Sequence, residues 1–302
     1  MALKTWSTPV SCEQGRAVPC TLCGGLEFAP CFTCTETGPR GNGGSFSYVR
    51  CRHCGLVQIN PQPSPASIAA RYGEFYGTDY LAYEQTNEGA FLRLQELALR
   101  DAGFFTLERK CTPTGSGRVL DIGCATGALL TMLKNRGWTV TGVELSGPQA
   151  EYCKHRGLDV RRGTLEECSF SAASFDVVLA SHLIEHLNYP DSFVREVRRI
   201  LKPGGRFYVT TPNIRGFQAR FFKSRWRSAI FDHLYLFSIR TLRLLLEQRG
   251  FRVERIVTWG GLAAGLAPGW IKKILDTLAK SWGFGDVMIF RAVLPEASEE
   301  LA

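Results

Sequence analysis

No long apolar run occurs anywhere in this 302-residue sequence. The least polar stretch, Val257 to Ile271, is broken by glycines and Pro268 and is too short to span a bilayer. The opening residues MALKTWSTPV lack the apolar segment of a secretory leader. No block of five or more like charges is present, which excludes a polyionic tail. The absence of internal repeats excludes solenoids and propellers. Together these absences lead to the expectation of a cytoplasmic protein. Two phosphate-binding signatures are missing as well. There is no Gly-Lys-Ser/Thr of a P-loop, and the glycine positions of G-x-G-x-x-G fall on Gly123, Ala125 and Ala128.

The chain carries a net charge of +8 and 45% hydrophobic residues, enough for one sizeable core and a small satellite. A basic balance permits anionic partners but selects none. The eleven cysteines are odd in number, so they cannot all pair within the chain. Six of them form three C-x-x-C pairs between Cys20 and Cys54, a pattern that suits metal ligation better than a disulfide framework.

This reading divides the chain into a tail over 1–15, a metal-binding module over 16–60, a helical cap or linker over 61–112, and an α/β domain over 113–302. Prolines 61, 63 and 65 mark the linker. Within the cap, Glu88 to Phe104 carries apolar residues at helical spacing: Phe91, Leu92, Leu94, Leu97 and Leu99. From Arg118 strands and helices alternate, which predicts a mainly parallel sheet covered on both faces.

The sequence VLDIGCATG, Val119 to Gly127, reads as a buried strand running into a glycine turn that opens a helix. Such turns hold ligands at the carboxyl ends of parallel strands. About twenty residues on, the next strand ends in Glu144, placed to accept hydrogen bonds from ribose hydroxyls. Asp121 faces the same region, and its carboxylate opposes a pyrophosphate but suits a cation such as the sulfonium and ammonium of S-adenosylmethionine (SAM).

From Arg118 to Phe251 the chain resembles the class I SAM-dependent methyltransferases. FDVVLASHLIEHL looks like the fourth strand of that family with its turn, and LKPGGRFYVTTPN like the fifth. The resemblance implies a Rossmann-like fold with a seven-stranded, mostly parallel sheet, and SAM as cofactor. It would place Asp121, Gly123, Cys124 and Gly127 at the methionine end of SAM, Glu144 and Leu145 at the ribose, Thr164 and Leu165 at the adenine, and Ser181 and His182 beneath the methyl. The segments 214–239 and 260–285 would be lid insertions; the second includes an amphipathic stretch with Trp270, Ile271, Ile274, Leu275 and Leu278 on one face.

Cys20, Cys23, Cys51 and Cys54 lie in two near-copies, CTLCG and CRHCG, and four such thiolates make a closed tetrahedral zinc site. Cys31 and Cys34 are alternative ligands, since their spacing to Cys51 also suits zinc. The runs RCRHCGLVQINPQP and RYGEFYGTDYLAY resemble a methyltransferase subset with an N-terminal zinc ribbon, which would fold Tyr72, Tyr76 and Tyr80 over the SAM pocket.

For an oxygen acceptor the candidate bases are His182, His186 and His233. The run from His182 to His186 also matches the H-x-x-E-H of a zinc peptidase class, but it follows a buried strand rather than lying within a long helix. His182, Glu185 and His186 together could hold a divalent cation, as in quinone-pathway methyltransferases; Glu185 as a packed helix cap is the plainer alternative. FDHLYLFS resembles a segment of the zinc-ribbon subset and implies His233 on the substrate side, as base or substrate ligand, against a purely structural histidine. The expected acceptor is a small molecule, a sugar, polyketide or quinone-like metabolite. An RNA-directed enzyme and a non-catalytic SAM-binding module are the rival readings, and peripheral contact with an anionic membrane is compatible with the basic amphipathic segments.

Overall fold

The protein is described from a computed structural model that covers residues 16–36, 44–66, 68, 78–111, 117–260, 279 and 283–296. Tyr72, Tyr76 and the Trp270–Leu278 stretch lie outside these residues. Among the described residues, no helix is long and apolar enough to cross a membrane.

Seven strands form the main sheet: β4 (Arg118–Ile122), β5 (Thr139–Glu144), β6 (Val160–Arg162), β7 (Phe175–Ser181), β8 (Leu201–Pro212), β10 (Arg252–Trp259) and β11 (Val287–Val293). Their order is β10-β11-β8-β7-β4-β5-β6. The pairs from β8 through β6 are parallel, and β11 runs antiparallel to both β8 and β10. The expected seven-stranded, mostly parallel sheet is therefore present.

Period-two patterning explains its two-sided core. On β7, Val178 and Ala180 join one apolar cluster while Val177 and Leu179 join the other; on β8, Phe207 and Val209 alternate with Tyr208 in the same way. Among the described residues, seven α-helices accompany the sheets: α1 (Thr78–Asp101), α2 (Phe104–Cys111), α3 (Ala128–Asn135), α4 (Gly147–His155), α5 (Pro190–Ile200), α6 (Phe217–Phe222) and α7 (Ile239–Gln248). In α5, Pro190 opens the first turn and Phe193, Val194, Val197 and Ile200 are buried, while Arg195, Arg198 and Arg199 stay outside that face. A reciprocal cap starts α7: the Thr241 amide donates to Ser238 Oγ at 3.2 Å and the Ser238 amide to Thr241 Oγ1 at 2.9 Å, worth about 1 kcal/mol.

The N-terminal module is a second sheet, β1 (Phe28–Thr35), β2 (Ser45–Cys51), β3 (Val57–Ile59) and β9 (Tyr235–Leu236), all antiparallel. Its fourth strand thus comes from the segment after β8, which the sequence suggests as a lid. That segment is anchored a second time by Trp226, 2% exposed, whose indole donates to Asp286 Oδ1 at 2.8 Å. Tyr48, Leu56 and Ile59 of the module share one continuous apolar cluster with Leu120, Val178 and Phe207 of the main sheet. The module and the α/β domain are one packed body.

Helix α1 departs from the expected pattern. Leu99 is buried, but Phe91, Leu94 and Leu97 are exposed, Leu94 by 65%. The spacing of the five apolar residues spreads over more than one face, and only part of it turns inward.

Candidate active site

The turns that follow β4, β5, β6 and β7 come together along one edge of the sheet, the carboxyl ends of four neighbouring parallel strands. Gly123 and Gly127 both have left-handed backbones, with φ of 73° and 72°. At Gly127 a Cβ would lie 2.5 Å from Leu158 Cδ1 and 3.0 Å from Cys153 Sγ, so only glycine lets the turn press against α4 and its following loop. Between them Ala125, where the resembled family often has glycine, is also left-handed at φ 49°. Its amide donates to Glu144 Oε2 at 2.9 Å, while the Ser146 amide donates to Oε1 at 2.9 Å. The acid at the tip of β5 therefore ties its own turn to the glycine loop, and each oxygen keeps a lone pair for a further donor.

Asp121 is 2% exposed and its Oδ2 is buried with no hydrogen-bond partner. Burial, and then the charge of Glu144, push its carboxyl up to about 7. A third carboxylate, not suggested by the sequence, joins them. Glu84 of α1 accepts from Gln149 Nε2 at 3.3 Å and is raised to about 7, first by burial; Glu144 adds to the rise. Helix α1 is drawn over this edge by Arg156, which pairs with Glu88 at 2.9 Å and donates to the Thr126 carbonyl at 3.1 Å. A buried acidic cluster with an unpartnered oxygen fits a cationic nucleoside ligand such as SAM.

The other predicted residues of this region lie on the same edge. Cys124 is buried against β5, where a Cβ on Gly142 would meet its sulfur at 2.7 Å. Leu145 is 46% exposed and Leu165 is buried at 2%. The Thr164 amide donates to Glu167 Oε2 at 2.8 Å. Ser181 ends β7, and a Cβ on Gly123 would touch Leu183 of the next turn at 3.7 Å.

After Ser181, His182 takes a left-handed backbone at φ 52°, uncommon for a residue other than glycine. The three-residue 3₁₀ turn Ile184–His186 follows. Glu185, fully buried, accepts from Thr211 Oγ1 at 2.8 Å and lies 3.4 Å from His182 Nδ1. Burial alone would raise its carboxyl, but the neighbouring imidazoles of His182 and His186 outweigh this and hold it down at about 2. His233 arrives from the segment before β9, and its ring meets that of His186 edge-on at 4.6 Å. Burial, and then His186, push His233 down to about 3, so its imidazole is neutral at pH 7. His233 Nδ1 lies 2.8 Å from the Ser228 carbonyl. A carbonyl only accepts, so Nδ1 carries the proton and Nε2 presents a lone pair. Ligand atoms of Glu185, His186 and His233 fall within 4.8 Å of one another, a set able to hold a cation. His182, 49% exposed, stands at the rim of this group.

Cys20, Cys23, Cys51 and Cys54 form the second cluster, also within 4.8 Å, with Cys20–Cys54 and Cys23–Cys51 sulfurs 3.4 and 3.5 Å apart. Burial pushes the Cys20 thiol far up and Cys54 to about 11. At Cys51, burial is outweighed by the amides of Cys54 and His53 and by Cys23 and Cys20, which leave it at about 7. The amides of Leu22 and Cys23 likewise address the Cys20 sulfur. Three buried thiols and one partly exposed, Cys23, with amides turned toward sulfur, fit zinc, whose charge would offset the burial of their thiolates. Cys34 instead points from β1 to the Ser224 carbonyl at 3.6 Å, and neither it nor Cys31 joins the cluster.

A family model described as a methyltransferase domain matches residues 90–256. A ubiquinone biosynthesis O-methyltransferase of Escherichia coli O157:H7 is 30% identical over 157 residues, which cover 50% of this chain and 60% of that protein. Another of that description, from Caulobacter vibrioides, is 35% identical over 131 residues, 41% of this chain and 50% of its own length. The chain thus spans between half and three-fifths of these relatives. Among solved structures, a SAM-dependent methyltransferase from Thermotoga maritima is similar with a TM-score of 0.55 and 24% identity, covering 75% of this chain and 99% of its own. One from Archaeoglobus fulgidus gives 0.52 and 21%, covering 71% and 99%. At these identities the likeness concerns the fold.

Proposed function

This chain belongs to the methyltransferase-domain family, and on that footing we propose that it transfers a methyl group from SAM to an oxygen of a small, quinone-like or phenolic acceptor. The observation that carries the reading is the placement of two groups side by side on one sheet edge: the buried acids Asp121 and Glu144 with the glycine loop, and the Glu185–His186–His233 cluster one strand away. Asp121 and Glu144 would hold the cationic end and ribose of SAM, with Gly123, Cys124 and Gly127 along the loop, Leu145 beside Glu144 at the ribose, Thr164 and Leu165 toward the adenine, and Ser181 near the methyl. SAM supplies an electrophilic methyl on a sulfonium. The protein has to align the acceptor oxygen with it, exclude water and take up one proton.

A phenolic acceptor suits the base. His233 offers a neutral imidazole lone pair but is a weak base, pushed down to about 3 by burial. A weak base suits an already acidic hydroxyl, such as a phenol with a pKa of about 10, better than an aliphatic alcohol. His186 and Glu185 complete a polar wall that orients the hydroxyl, and His182 flanks it. Replacing His233 by alanine is expected to lower methyl transfer from labelled SAM to catechol-type acceptors while SAM affinity, by calorimetry, stays at its wild-type value. Equal loss of both would remove the acceptor role.

Asp121 sets an expected pH dependence. Its carboxyl is raised to about 7 beside Glu144, and Glu84 is raised similarly. A cationic ligand needs these groups ionised, so SAM affinity should fall as pH drops below 7, by up to about tenfold per pH unit for each linked proton. Calorimetry between pH 8.5 and 5.5 reads this directly, and a flat profile would exclude the charge pairing.

Zinc in the four-cysteine cluster is proposed as structural, since all four donors come from the protein. One observation supports RNA as an alternative acceptor. Arg215, Arg220, Lys223, Arg225 and Arg227 lie in the same stretch of sequence as Phe217 and Phe221, which are 47% and 71% exposed and stacked 6.1 Å apart. Steeply salt-dependent binding of single-stranded RNA would favour that reading.

A further inference from the structure

We propose that Tyr48 is a positioning residue that ties the four-cysteine module to His233, so that the metal state of the module sets the geometry of the Glu185–His186–His233 cluster. This rests on the reading above, in which that cluster is the acceptor side of the site.

Tyr48 stands on β2, three residues before Cys51, with its side chain fully buried against Phe32 and Phe46 at ring distances of 5.2 and 5.8 Å. Its hydroxyl shares one proton between the carbonyls of Ile230 and His233, both at 2.8 Å. The His233 amide in turn donates to the Ile230 carbonyl at 3.1 Å, so the hydroxyl closes the turn that presents the His233 ring. The far side of that turn is held by the same module. The Ile59 amide donates to the Leu234 carbonyl at 2.9 Å, and β3 pairs with β9 through Val57–Leu236 and Gln58–Tyr235. The tether extends to the other imidazole, because the Tyr235 hydroxyl donates to the carbonyl of Asn188, two residues beyond His186, at 3.1 Å.

The physical argument concerns strand length. β3 has three residues and β9 two. Ladders this short do not hold a register by themselves. Besides the shared apolar core, the knuckle at the end of β2 holds them: Cys51 is both the last strand residue and a cluster thiol, and its amide donates to the Leu56 carbonyl at 2.9 Å. Metal binding to four thiolates is coupled to the folding of the loops that carry them. An ion in the cluster therefore stiffens β2 and β3, and through Tyr48 and β9 it stiffens the turn before His233. Tyr48 does not touch the reacting atoms; it acts through the His233 backbone.

The test uses full-length protein with ¹⁵N-labelled histidine, since the chain has five histidines and each can be assigned. In zinc-loaded wild type the His233 ring is expected as a single tautomer with its proton on Nδ1. In Tyr48→Phe, zinc content and SAM affinity should match wild type, while the His233 and His186 ring signals shift and the single-tautomer signature is lost. His155, on the exposed end of α4, should not move. Where Tyr48→Phe does not fold, zinc titrated into chelated wild-type protein should shift the His233 and His186 signals over the first equivalent, as the four cysteines fill, and a shift that appears only beyond one equivalent, as direct binding at Glu185, His186 and His233 would give, overturns the proposal. A folded, zinc-loaded Tyr48→Phe with a lower melting temperature but unmoved imidazole signals overturns the proposal, as do wild-type signals indifferent to metal. Failure of the methyltransferase reading would show separately, as no SAM binding by wild type whose histidine signals still respond to zinc.

Discussion

Glu144→Ala is expected to lose SAM affinity by about two to three orders of magnitude, which puts it beyond calorimetric detection for an ordinary micromolar site. Two losses combine. The carboxylate is the proposed acceptor for the ribose hydroxyls, and hydrogen bonds to a charged acceptor contribute about 1.5–3 kcal/mol each. The same carboxylate also accepts the Ala125 amide from the glycine loop and the Ser146 amide from the next turn, both at 2.9 Å. Removing it leaves the Ala125 and Ser146 amides without their acceptor, while the Gly123 and Cys124 amides still donate to the Val143 carbonyl of β5 at 2.8 and 3.2 Å. Glu144→Gln keeps one oxygen acceptor, so it should fall between wild type and alanine. Unchanged affinity in Glu144→Ala would take the ribose assignment away, whatever the loop does.

Cys20→Ser should lose stoichiometric zinc and, with it, several kcal/mol of stability, because metal binding by such a site is also folding free energy. Burial raises the Cys20 thiol strongly, so its thiolate exists only where a cation balances it. The measurements are elemental analysis and a thermal melt. Cys31→Ser is the informative companion: it should keep its zinc, since the Cys31–Cys34 pair lies on β1 outside the cluster. Zinc retained by Cys20→Ser and lost by Cys31→Ser would mean that the ligands are exchanged between the pairs. The destabilisation should also spread beyond the module, because its core is continuous with one face of the main sheet.

Much of the α/β domain was legible because its signals are local. Glycine turns, buried strands and an amphipathic α5 stand out within windows of ten residues, and the alternation of strand and helix expected from Arg118 onward is found. The acids at the ends of β4 and β5 were legible for the same reason. Long-range features were not. A two-residue strand such as β9 has no periodicity, and its partner lies about 180 residues earlier in the chain. Glu84 reads as an ordinary polar position on a helix until the fold brings it against Gln149 and Glu144. Nothing around Tyr48 announces that its hydroxyl closes a turn at residue 233. The apolar residues of α1 misled in the opposite direction, because helical spacing does not say which of them will find a neighbour.

The crossing of β9 into the N-terminal sheet has a consequence for biosynthesis. Translation delivers the cysteine knuckles first, yet the outer side of β3 stays an open edge until Tyr235 and Leu236 have left the ribosome. An open edge beside buried apolar residues invites pairing with other chains. The earliest-made part of the molecule is thus among the last to be finished, and a fragment ending near residue 60 should be sticky and poorly folded even when supplied with zinc.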